Sequence, residues 1–211
     1  MPVKVNLDAK SPKPQPENMC LGCPTLCCKN HIVDVTTYDI FRLAAEKGKD
    51  MAGFVEWIYA SREDAFGFRC EGVMVKLVMK FEKGSCVFLD EGRALSCTVE
   101  ESKPSVCLKY PFSAERGQSV MRPEALCPLP NRMRADAVKM SPKVLEECDW
   151  ELERFGEMVE DWNLISDGSE NLENFVMFAA NEMALESNPV GRAFRKAKRA
   201  LLRSLFRPYR R

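Results

Sequence analysis

Hydrophobic and polar positions change their period several times along the chain, and each change marks an element. Ile32-Val33-Asp34-Val35 reads as a short strand or an extended link. Thr36 then caps a helix, with Asp39 three residues on, and Ile40, Leu43 and Ala44 form its apolar face up to Gly48. A second short helix is expected from about Met51 to Ser61, burying Phe54 and Ile58 with Trp57 alongside. From Phe68 the period becomes two. Val73, Val75, Leu77, Met79 and Phe81 alternate as in a half-buried strand, which Gly84 breaks. The segments 86–89 and 95–99 flank Asp90-Glu91-Gly92-Arg93, whose composition suits a hairpin turn. Lys103-Pro104 marks a loop, a turn at 115–118 joins two more short strands, and Cys127-Pro128-Leu129-Pro130 closes the region.

Beyond about Arg134 the helical period takes over. Ser141-Pro142 is a helix start, with a capping hydroxyl and proline at the first helical position. Val144, Leu145, Cys148, Leu152, Phe155, Val159 and Trp162 form one stripe, and Asp167-Gly168-Ser169 interrupts it. A second helix carries Leu172, Phe175, Val176, Ala179 and Met183 and ends before Asn188-Pro189. A third, from Val190, sets Phe194, Ala197, Leu201 and Leu205 on one side and arginines and lysines on the other. Residues 1–18, with Pro12, Pro14 and Pro16, read as a flexible arm. The expected architecture is α+β. A small cysteine-rich core of short strands and loops spans 19–134, with helices near its N-terminal end and a helical extension at 135–211.

Charge sharpens that division. Lys plus Arg equals Asp plus Glu, 31 each, so no global field attracts nucleic acid or membrane. Between Glu146 and Glu186, however, thirteen acidic residues meet one basic residue, Arg154, and after Asn188 nine basic residues meet no acid. The acidic and basic helices face each other, or each solvates its outer face, or the last helix grips an anionic surface through Arg195, Lys198, Arg199 and Arg203. RNA, an acidic protein and an anionic membrane face are the candidates. No recognised nucleic-acid module accompanies the helix, so a protein partner is preferred over nucleic acid or membrane. No signal-like apolar run opens the chain, and no window approaches the roughly 20 apolar residues of a membrane span. A cytoplasmic setting is therefore expected, where clustered cysteines are metal ligands or catalytic groups more often than disulfides.

The cysteines carry the chemistry. Cys20, Cys23, Cys27 and Cys28 lie within nine residues, and Cys86, Cys97, Cys107 and Cys127 follow at turns. Thiolates are soft, charged ligands suited to zinc, copper(I) or iron–sulfur clusters. Two sulfurs spaced C-x2-C reach one metal from a tight turn. Adjacent side chains usually diverge, so Cys27 and Cys28 are not expected to share a metal. The N-terminal four are thus one half of an eight-cysteine pool completed from 86–127, and those eight are the candidate ligands. Cys148, on an apolar helical stripe, reads as a buried structural thiol; Cys70 is open between the two roles. The one histidine, His31, could donate a nitrogen but reads as a polar loop residue, and with a single histidine neither a polyhistidine site nor a His-based triad is expected. There is no P-loop, G-x-S-x-G elbow, H-E-x-x-H pair or EF-hand loop.

The run from Cys20 to Cys28, then Cys86, Cys97, Cys107 in Lys103-Pro104-Ser105-Val106-Cys107, Tyr110-Pro111-Phe112 and Cys127, resembles the CxxCxxCC or YkgJ-type cysteine-cluster family. It also looks like the cysteine-rich part of FliB-type flagellin lysine methylases. The resemblance departs from the family pattern at Lys103 and Leu108, where arginines are usual, and in the three residues between Cys23 and Cys27. It implies a zinc- or iron-chelating domain, and through the methylases a [4Fe–4S] cluster, with Zn2+ as the alternative. The implied roles are electron transfer, metallo-assembly or structure. A cluster-dependent protein-lysine methylase and a metal-stabilised module that binds an anionic partner through its basic helix are the other readings. The pattern offers no S-adenosylmethionine pocket and names no catalytic residue.

Overall fold

The computed structural model describes residues 26–48, 50–90, 96–115, 118–122, 127, 140–187 and 189–206. The expected arm at 1–18 lies outside them, as do Cys20 and Cys23. The architecture is α+β, with helices toward both ends and small antiparallel sheets between. By compactness the described chain forms two units that interleave in sequence. One is Ile58–Lys76 with the described part of Arg154–Arg211; the other is the described part of Ser11–Trp57 with Leu77–Glu153.

In the second unit, α1 (Leu26–Asn30) leads through an extended link into α2 (Thr37–Lys47). The link is strand-like: Asp34 bridges Val78, and Val35 N–H donates to the Leu77 carbonyl at 3.1 Å. Thr36 and Asp39 form a reciprocal capping box, and Gly48 closes α2 in the left-handed region at φ 58°. Ile40 and Leu43 are buried.

The helix expected over 51–61 is not there. A 3-10 turn, Met51–Gly53, gives way to strand β1 (Val55–Tyr59). Gly53 weakens helical continuation, and the branched and aromatic run Val55, Trp57, Ile58, Tyr59 favours extended backbone. Of the expected core pair only Phe54 is buried, while Trp57 is half exposed.

Strand β2 (Phe68–Cys70) and strand β3 (Val73–Met79) form an antiparallel hairpin, and the sheet order is β1-β3-β2. The hairpin turn has positive φ at both Glu71 (48°) and Gly72 (82°), the two-residue geometry that matches strand twist. The same device recurs at Lys83 (52°) and Gly84 (86°) between β4 (Phe81–Glu82) and β5 (Ser85–Cys86). Strands β6 (Leu89–Asp90) and β7 (Ser96–Cys97) pair with each other; of the turn expected at 90–93, Asp90 belongs to β6 and the rest lies outside the described residues. The loop at Lys103-Pro104 opens into a short helix, α3 (Ser105–Lys109). Strands β8 (Phe112–Glu115) and β9 (Gln118–Met121) then form the last expected hairpin.

The C-terminal helices are α4 (Pro142–Ile165), α5 (Leu172–Glu186) and α6 (Pro189–Phe206). Most of the expected α4 stripe is buried, Cys148 included, as its place on that stripe implied. Within the first unit the core is aromatic. Phe68 of β2 stacks on Phe175 of α5 at 3.7 Å, and Phe155 and Trp162 of α4 meet the same ring edge-on at 6.2 and 5.6 Å. Trp162 Nε1 donates to the Arg69 carbonyl at 2.8 Å. Asn163 donates to the Gly67 carbonyl and accepts from Arg69 N–H.

Helix α6 sits opposite to the usual sense. Its basic side faces inward: Arg195 and Arg199 are only 7% and 8% exposed, while Phe194 is 61% exposed. Arg195 pairs with Glu157 and Glu186, Lys198 with Glu182, and Arg199 with Glu157, Glu160 and Asp161. Arg154 joins the same network through Glu157 and Glu186. These residues realise the reading in which acidic and basic helices face each other.

Burial decides what substitutions do here. Phe175→Ala should cost about 3–5 kcal/mol in urea unfolding, whereas Phe194→Ala should stay within about 0.5 kcal/mol. Acid should act through Asp64. Burial alone would raise its pKa, but the Phe66 N–H and the Lys76 ammonium, 3.0 Å away, outweigh it and hold the carboxyl below its ordinary range. Its stabilisation is therefore present above the unfolded pKa and lost as pH falls through the folded one. Asp64→Asn should flatten that acid limb of the stability-against-pH curve.

Candidate metal centre

Four short elements of the second unit present thiols to one another. Helix α1 carries Cys27 and Cys28 and packs on β5, which carries Cys86. Cys86 stands opposite Phe81 in its hairpin, and Cys97 opposite Leu89 in the next. Cys107 lies in the middle of α3. Such short hairpins give little packing of their own, so backbone bonds hold them. Thr98 N–H and hydroxyl both donate to the Phe88 carbonyl, and Lys47 Nζ at the end of α2 donates to the Thr98 carbonyl at 2.6 Å.

The expected divergence of Cys27 and Cys28 is not observed: their sulfurs lie 3.9 Å apart. A short helix leaves χ1 free to swing two adjacent thiols together even though their Cβ atoms splay. Thiolates bound at about 2.3 Å around one tetrahedral ion stand roughly 3.8 Å apart, so this spacing suits a shared metal. The Cys28 contact, then burial, drives the Cys27 thiol far up. Burial pushes Cys86 up to about 11, and neighbouring Cys97 and Cys27 push in the same direction. Cys107 is raised by burial first and then by Cys86, Cys97 and Cys27. Among Cys27, Cys86, Cys97 and Cys107, each thiolate formed makes the next harder to form. A bound cation reverses that opposition by holding all of them ionised.

Cys127 is half-buried and packs on an apolar cluster of Leu108, Phe112, Met140, Val144, Leu145 and Cys148. Cys70 is buried in β2 of the other unit. His31 packs its ring on Tyr110 at 5.3 Å, and its buried Nε2 has no hydrogen-bond partner among the described residues. Among the described residues no disulfide forms, and no three Cys, His, Asp or Glu side chains are drawn in around a single ion. Cys20 and Cys23, which belong to the same pool, lie outside the described residues.

Sequence reasoning missed what positions Cys107. Pro104 offers α3 no side-chain cap, so the first N–H of the helix needs an acceptor from elsewhere. Asp39 supplies it: Oδ1 accepts from Ser105 N–H at 2.9 Å, while Oδ2 accepts from Thr36 N–H and hydroxyl. Arg42 donates to Asp39 at 2.5 Å and to both oxygens of Glu151 on α4, and the Ser105 hydroxyl donates to Glu151. Asp39, Ser105 and Thr36 are fully buried. Burial raises the Asp39 pKa, against Arg42 and the Thr36 and Ser105 N–H groups, which lower it. The capping box was legible at Thr36 and Asp39; the second task of Asp39, across 66 residues of chain, was not.

Half-buried thiols carried on short hairpins and helices are the donors that a thiolate-chelating domain would offer a metal. The chain belongs to the CxxCxxCC family, described as a "putative zinc- or iron-chelating domain", whose match covers residues 19–128. No curated protein and no solved structure matches the chain. Among the described residues, no helix is long and apolar enough to cross a membrane.

Removing Asp39 leaves a half-buried guanidinium with Glu151 as its carboxylate partner and takes the acceptors from the first N–H of α3 and from Thr36. Asp39→Ala should therefore destabilise the metal-free protein by about 3–5 kcal/mol in urea unfolding. Asp39→Asn, which keeps an acceptor but loses the charge, should fall between it and wild type.

Proposed function

We propose that this chain holds a [4Fe–4S] cluster through thiolates of the pool Cys20, Cys23, Cys27, Cys28, Cys86, Cys97, Cys107 and Cys127. The cluster would serve structure or electron transfer. The observation that carries this is the packing of α1, with Cys27 and Cys28, on β5, with Cys86, inside the stretch that matches a chelating family. The donor set fits the group, since soft thiolates without histidine or carboxylate partners suit iron–sulfur clusters and zinc. Eight thiols match one such cluster with four sulfurs to spare, or two four-sulfur zinc sites. When bound, such a cluster supplies one-electron chemistry. The protein's own part is to strip water from the sulfurs and to fix Cys107 through Asp39 and Cys97 through Lys47.

Zinc is a second reading, favoured by the 3.9 Å separation of Cys27 and Cys28. Anaerobic purification followed by iron, acid-labile sulfide and zinc analysis decides between them. A brown protein with matching iron and sulfide supports the cluster, and a colourless protein with zinc supports the second reading. A folded protein with neither, and every thiol titratable, overturns both. Cys86→Ser and Cys107→Ser should each lose most of the bound metal, while Cys148→Ala should retain it.

A further inference from the structure

Helix α6 shows solvent the face that a surface helix normally buries. Val190, Phe194, Ala197 and Leu201 recur at spacings of four, three and four, which places them on one side. Val190 is 79%, Phe194 61% and Leu201 58% exposed, and Ala193, Ala197 and Ala200 beside them are exposed as well. The opposite side is engaged through the ion pairs of Arg195, Lys198 and Arg199, so the helix cannot roll over to hide its apolar residues without stranding buried charges. The outward orientation is thus imposed by the network beneath it.

What covers this face follows from its charge and its size. Arg192 and Lys196, both exposed, border it, and the helix has no acidic residue. Three large apolar side chains on one helix are far short of the roughly 800 Å² per partner that a stable protein interface buries. In a self-paired arrangement Arg192 and Lys196 would face their own copies. A shallow apolar stripe edged by cations is instead the pattern by which helices lie in the interface of an anionic bilayer. There the rings and aliphatic groups enter the acyl boundary while Lys and Arg stay at the headgroups.

We propose that α6 docks the protein on an anionic lipid surface through Val190, Phe194 and Leu201, with Arg192 and Lys196 at the phosphate level. The test is co-sedimentation of the full-length protein with phosphatidylcholine vesicles, with and without roughly a third phosphatidylserine. Binding is expected only with the anionic lipid, weakening at least about tenfold for F194E/L201E and falling as salt rises. The positions are exposed, so circular dichroism and urea unfolding should match wild type. R192Q/K196Q, which leaves the apolar stripe intact, should also weaken binding. Equal binding to neutral vesicles, undiminished binding by F194E/L201E, or no binding at all would overturn the proposal. A dimeric mass by light scattering that F194E/L201E abolishes would assign the face to a second copy instead.

Discussion

The cysteine-bearing unit depends on one buried carboxylate. Asp39 closes α2 at its own N-terminus and α3 at a distance, and Arg42 carries the same node to Glu151 on α4. An ionised group away from water is tolerable only when every partner is present, so the node is all-or-nothing. That property makes it a positioning device. The helix carrying Cys107 is five residues long and has no capping side chain of its own, and it would not hold its place by propensity. Tying its first N–H to Asp39 anchors the helix that carries Cys107.

The thiols themselves supply no such cohesion. Burial and mutual proximity raise Cys27, Cys86 and Cys107, so in the absence of a cation the set is held together by the scaffold and by protonation. Binding a metal exchanges those protons for a positive centre, and the interaction that resisted ionisation becomes one that favours it. A metal bound there would give the short strands around the site a cohesion that their small apolar area does not.

The other unit solves a different problem with the same physics. Its core is a stack of rings around Phe175, and its last helix is placed by charge. Arg154, Arg195 and Arg199 lie under 10% exposed among Glu157, Glu160, Asp161 and Glu186. Apolar burial alone would have turned Phe194 and Leu201 inward. The density of acid on α4 and α5 reversed that preference, and the exposed apolar stripe is its consequence.

Local rules were enough for much of this chain. The capping box at Thr36, the stops at Gly48 and Gly84, the start at Pro142 and the break at Gly168 each act within a few residues, so sequence by itself determined them. The α+β class and the family's thiol pool followed from period and spacing. Tertiary structure decided the rest. Residues 55–59 became a strand because a sheet was there to extend, although their spacing also fits a helix turn. Cys27 and Cys28 came together because side-chain rotation, invisible in spacing, overrides backbone divergence. The second role of Asp39 and the inward face of α6 depend on partners 66 and about 40 residues away. Charge pairing of that reach is a property of the fold, since sequence gives the sign of each residue but not which opposite charge it will meet.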